Sequence, residues 1–151
     1  MLSQADREER VAKTRQQGGL RGVYLVAAEL SRLGYSVAPT ARNAAGADLL
    51  VFDRDTARAA SIEVKTNAKR ANFWLVGEPA KARCSPSHFY AFLNISTPRG
   101  GGEIYEYYLV PSDVVARETS VDRAKTGSVW YSFALKSAEP YGNAWSQLHS
   151  A

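Results

Sequence analysis

Cysteine is nearly absent from this chain. Cys84 is the only one in 151 residues, which excludes an internal disulfide and a multi-cysteine zinc site and makes a reducing cytoplasm the expected compartment. Cys84 follows Lys81 and Arg83, a setting that can lower a thiol pKa, but no catalytic partner stands near it in sequence, so it reads as a plain cysteine. Histidine is scarce as well: His88 and His149 are the two, each isolated, and they read as structural or exposed. No apolar run approaches the roughly 20 residues that span a bilayer, so no membrane partner is expected. Residues 1–17 lack the apolar segment of a secretory signal. There is no internal repeat, no low-complexity tract and no Walker-type glycine loop.

What is present suits a soluble globular chain: 45% hydrophobic and 23% charged residues, with enough length for one sizeable core. The net charge of +4 and the pI near 9.3 fit an anionic partner such as nucleic acid without requiring one. Residues 1–17 form a charged arm or helix, capped at Ser3 and Asp6 and interrupted by Gly18-Gly19. Its arginines alternate with Asp6, Glu8 and Glu9, the pattern of a solvated helix face. Residues 18–151 read as a single domain. A helical stripe runs Leu20, Val23, Ala27, Leu30, widened by Val26 and Leu33, and Gly34 stands where a C-terminal cap belongs. Strands are expected at 35–38, 47–52, 59–66, 73–76, 89–95, 104–110 and 129–135, with a short helix at 113–117. Trp145 and Leu148 are placed to pack in a closing segment at 141–149. Trp74, Trp130 and Trp145 read as core or interface anchors. Tyr105 and Tyr107 share a strand face, where packing is favoured over base stacking. The order of elements defines an α/β (α+β) domain around a mixed sheet.

The stretch Ser61-Ile62-Glu63-Val64-Lys65-Thr66 alternates polar and apolar, the period of a strand with one face buried. Asp53-Arg54-Asp55-Thr56 is turn chemistry. A hairpin about that turn sets Leu49 against Ile62 and Asp48 against Glu63, with Lys65 on the same face. Two carboxylates and a lysine so placed suit phosphodiester hydrolysis. Asp48, Glu63 and the backbone carbonyl of Val64 offer the hard oxygen donors that Mg²⁺ takes. Lys65 can orient the attacking water or offset charge in the transition state. Arg42, Lys69, Arg70, Lys81 and Arg83 can contact a phosphate backbone. On spacing alone a plain surface ion pair, worth about 0–1 kcal/mol, is the favoured reading.

Asp48 followed by Glu63-Val64-Lys65 resembles the motif of the PD-(D/E)XK nuclease superfamily. Ala28-Glu29-Leu30, Leu33-Gly34-Tyr35 and Gly46-Ala47-Asp48-Leu49-Leu50-Val51 resemble the opening of its small, Holliday-junction-resolvase-like members. Phe89-Tyr90-Ala91-Phe92-Leu93-Asn94-Ile95 and Tyr107-Tyr108-Leu109-Val110-Pro111-Ser112 resemble small stand-alone members. The resemblance covers roughly residues 22–115. It implies a restriction-endonuclease-like core (helix, three-stranded meander, helix, strand) in which a mixed central sheet is flanked by helices, and it makes 18–151 a nuclease-like domain. It also implies Mg²⁺- or Mn²⁺-dependent cleavage of DNA, with Asp48 and Glu63 as ligands and Lys65 near the nucleophilic water. By the same analogy, enzymes that cut both strands often act as homodimers.

The chain departs from that pattern in two places. Ala47 precedes the aspartate where proline is usual. Many members carry a metal-supporting glutamate near the start of the first helix, where this chain has Val23 or Tyr24. Glu29, the nearest acid, lies five or six residues later, and six residues turn a helix by about 600°, which makes it a second-sphere candidate. A nucleic-acid-binding module without catalysis, or a protein-interaction or immunity-type protein on the same scaffold, are the alternatives to a nuclease.

Overall fold

A computed structural model describes residues 3–41 and 46–151. Helix α1 spans Gln4–Arg32, 29 residues and about 43 Å at 1.5 Å per residue. The Ser3 hydroxyl accepts the Asp6 N–H while the Asp6 carboxylate accepts the Ser3 N–H. This capping box satisfies donors that the first turn would leave bare. Gly34, at φ +94°, closes the other end. The expected break at Gly18-Gly19 is not there; the helix runs through both glycines. They disfavour helix by about 1 kcal/mol each, a deficit that capping and good helix formers on either side outweigh.

The buried stripe of α1 also differs from the expected one. It is Gly22, Val26 and Leu30, whereas Leu20 and Leu33 are exposed. Gly22 decides this. A β-carbon there would fall 1.7 Å from Thr66 Oγ1, so the helix backbone lies directly on the sheet and fixes which side of α1 faces inward.

Strands β1 (Ser36–Pro39), β2 (Leu49–Asp53), β3 (Arg58–Asn67), β5 (His88–Ser96) and β6 (Ile104–Pro111) form a five-stranded sheet in the order β1-β2-β3-β5-β6. Only the β3–β5 pairing is parallel, so the sheet is mixed. It is an α/β arrangement consistent with a restriction-endonuclease-like core. A parallel pair needs a crossover, and here the crossover carries no α-helix, contrary to what the resemblance implies. Strand β4 (Phe73–Val76) and a 3-10 turn at Glu78–Lys81 fill it. The alternating burial of Phe73-Trp74-Leu75-Val76 has the two-residue period of a strand.

Strand β4 joins β8 (Val129–Ala134) and β7 (Ser120–Arg123) in a second, three-stranded sheet, ordered β4-β8-β7, which sequence patterning does not reveal. Two apolar clusters result. Val26 and Leu30 of α1 meet Leu49, Val51, Ile62, Val64, Phe89 and Ala91 on one face of the main sheet. Trp74 and Phe133 of the second sheet meet Tyr90 and Phe92 on the other face, with Phe92 stacked on Phe133 at 4.8 Å. Helices α2 (Ser112–Glu118) and α3 (Leu135–Ala138) close that second layer. Trp145 and Leu148 pack into the first cluster as expected. Trp130 does not anchor the core; it is exposed, because in β8 its neighbour Phe133, three residues on, takes the inward face.

Because β5 is buried on both faces, β3 lies between two layers. Ile62 and Val64 point toward α1. Glu63 and Lys65 sit in register with Tyr90 and Phe92 and face the opposite layer.

Candidate metal and nucleic-acid site

The β2–β3 hairpin has the register expected from its spacing, from Asp53↔Arg58 to Leu49↔Ile62. The ladder stops there, however, and Asp48 does not pair with Glu63 through the backbone. The Asp48 N–H donates to the Ile62 carbonyl at 2.8 Å. Its side-chain Oδ2 accepts the Val64 N–H at 2.7 Å. The carboxylate thus takes the place of the next strand carbonyl, which holds it in the sheet plane beside Glu63-Val64-Lys65. Its second oxygen receives no hydrogen bond from the described residues, leaving lone pairs for a cation.

Glu63 is held at both oxygens. Lys65 Nζ lies 2.7 Å from Oε1 and Arg83 Nη1 lies 3.7 Å from Oε2. The glutamate is 19% exposed, so the cluster opens to solvent at one side. Two cations thereby meet on Glu63, while the Asp48 side chain contacts the Val64 N–H. Arg83 is seated against Gly46, where a β-carbon would fall 1.2 Å from Nη1. Gly46 also has φ +76°, a conformation that disfavours side chains.

Tyr90, next to Glu63 on β5, is almost fully buried. Burial, and then the adjacent Glu63 anion, push its phenol pKa far up, so Tyr90 stays neutral beside the carboxylate. His88 is buried and its Nδ1 lies 2.7 Å from Ser61 Oγ. Burial and then the Arg83 cation lower its pKa, against the opposing pull of Glu63, so its ring is neutral near pH 7. Sequence alone does not bring Arg83 or Tyr90 to Glu63, because the parallel register that aligns them is set by the long crossover between β3 and β5.

The remaining candidates scatter. Lys69 is exposed and lines a groove of about 640 Å³. Arg15 on α1, Lys65, and the exposed Phe73 and Leu75 line the same groove. Asn94, fully buried, fixes its loop wall by accepting the Ala71 N–H and donating to the Ala71 carbonyl. Arg70 is engaged by Glu106 at 2.7 Å. Lys81 donates to the Thr119 carbonyl at the end of α2. Glu29 is held by Arg32 at 2.7 Å and forms no ion pair or hydrogen bond with the Asp48 or Glu63 cluster among the described residues. Arg42 lies outside the described residues. No group of three His, Cys, Asp or Glu side chains gathers among the described residues, so this site offers two carboxylates at most. Their chemistry fits Mg²⁺ or Mn²⁺, which accept one or two carboxylates with carbonyl, water and phosphate oxygens completing the shell.

No family model matches the chain, and no curated protein matches it in sequence. Among solved structures, that of Hjc from Archaeoglobus fulgidus, a Holliday junction resolvase from an archaeal hyperthermophile, is similar over 82% of this chain and 88% of its own. The TM-score is 0.47 and the identity 15%, a likeness that says nothing of activity. No described helix is long and apolar enough to cross a membrane.

Proposed function

We propose that this protein hydrolyses phosphodiester bonds of DNA with a divalent metal, as a PD-(D/E)XK-type endonuclease. The carrying observation is that the Asp48 carboxylate is locked to the Val64 N–H beside Glu63, whose carboxylate carries Lys65. Asp48, Glu63 and the Val64 carbonyl would hold Mg²⁺ or Mn²⁺. When bound, the metal polarises the scissile phosphate and acidifies a coordinated water. Lys65 is close enough to the Glu63 carboxylate to orient a water there and to offset developing negative charge. The groove shared by Lys65, Lys69 and Arg15 supplies cations along which a phosphate backbone can run. Two copies would serve where both strands are cut.

The test is cleavage of several DNA forms with Mg²⁺ or Mn²⁺, comparing the parent with Asp48→Ala and Lys65→Ala. Each substitution is expected to lower the rate at least about 100-fold. Cleavage that survives both would show that the activity belongs elsewhere.

The engagement of both Glu63 oxygens by cations favours a second reading, a nucleic-acid-binding module without catalysis. That reading predicts salt-sensitive DNA binding with no affinity for Mn²⁺ at Asp48 and Glu63.

A further inference from the structure

Among the described residues, Arg83 is the one cation in the acid cluster that the hydrolytic chemistry does not use. It arrives from the crossover, not from the strand that carries Glu63 and Lys65. Its guanidinium occupies the side of Glu63 that Lys65 leaves open. Gly46 accommodates it, since any β-carbon there would overlap the guanidinium. Gly46 lies two residues before Asp48, so Arg83 packs on the segment that delivers the second carboxylate.

We infer that Arg83 is a built-in countercation of the Asp48–Glu63 pair, and that it competes with the divalent metal for Glu63. This rests on the proposed nuclease reading and adds a regulatory property to the same site. Without metal, Asp48 and Glu63, on either side of the Val64 N–H contact, carry like charges that repel each other. A guanidinium at Glu63 Oε2 offsets that repulsion and keeps the pair assembled. A carboxylate oxygen shared with a guanidinium offers less to a metal ion, so metal must displace Arg83 before it can use both oxygens of Glu63. The pair is partly exposed, with Arg83 33% accessible at its side chain, so its strength is modest and displacement is feasible. Arg83 is therefore a positioning residue that sets metal affinity.

Mn²⁺ titration by calorimetry on the full chain, without DNA, reads this directly. Arg83→Gln is expected to bind Mn²⁺ about two- to fivefold more tightly than the parent. Gly46→Ala, which keeps the arginine but fills its seat, is expected to shift affinity the same way. Lys81→Ala removes an equal charge that contacts Thr119 rather than Glu63 and is expected to leave affinity unchanged. Circular dichroism checks folding, and Arg83→Gln decides alone if Gly46→Ala does not fold. Equal or weaker binding by Arg83→Gln, or an equal gain from Lys81→Ala, overturns the competition while leaving the nuclease reading intact. No Mn²⁺ binding by parent or variants overturns both.

Discussion

The Asp48 carboxylate has two roles, and substitutions can separate them. One oxygen accepts the Val64 N–H and so holds the end of the hairpin together; on the proposed reading the negative charge would serve a metal. Asp48→Asn keeps an acceptor for Val64 and removes the charge. Asp48→Ala removes both and leaves a strand N–H without its partner. In urea denaturation Asp48→Ala is expected to lose about 1–3 kcal/mol of stability, the range for leaving a buried donor without its partner, and Asp48→Asn clearly less. Both are expected to abolish cleavage. Equal stability loss in the two would show that the Val64 contact contributes little. The alternation of Glu63 and Lys65, and the hairpin turn after Asp53, make these residues legible in the sequence. Their partners are not. Arg83 and Tyr90 reach Glu63 only through the parallel pairing of β3 with β5, which local periodicity does not encode.

Among the elements, the turn between β2 and β3 is tied to the closing segment through a buried acid. Asp53 is 4% exposed and hydrogen-bonds His149 Nδ1, while the Asp55 N–H donates to Asp53 Oδ1 at 2.9 Å. Burial pushes the Asp53 pKa up, but the bonds from His149, Thr56 and Asp55 together hold it below the usual carboxylate value. A carboxyl whose folded pKa is depressed contributes stability that is present above its unfolded pKa and lost as pH falls through the folded one. Melting temperature measured from neutral pH downward should therefore fall below about pH 4, and Asp53→Asn should be less stable at neutral pH with a flatter acid limb. An unchanged acid limb in the variant would remove Asp53 from the account. Strand β3 follows visibly from the alternation of residues 59–66, and β5 from its continuous apolar run. The β4-β8-β7 sheet does not, since β7 is four exposed residues with no apolar face to mark it. The seating of α1 is likewise hidden, because a glycine at position 22 shows in a hydrophobic pattern only as a gap.

At the scale of the molecule, one strand serves two layers. Ile62 and Val64 bind β3 to α1, while Glu63 and Lys65 face the opposite layer at a rim that the second sheet leaves open. A groove bearing Arg15, Lys65 and Lys69 leads along that rim, so the mild excess of positive charge gains a location that composition alone did not give. Arg70 and Lys81 contribute to the net charge while engaged by Glu106 and the Thr119 carbonyl. On the proposed reading, Asp48 and Glu63 form a divalent-metal site next to Lys65. Its most direct test is a crystal soaked in Mn²⁺ and measured for anomalous scattering. The expected result is a peak coordinated by Asp48, Glu63 and the Val64 carbonyl, with Arg83 moved off Glu63. A fully soaked crystal with no peak between the two carboxylates would contradict it.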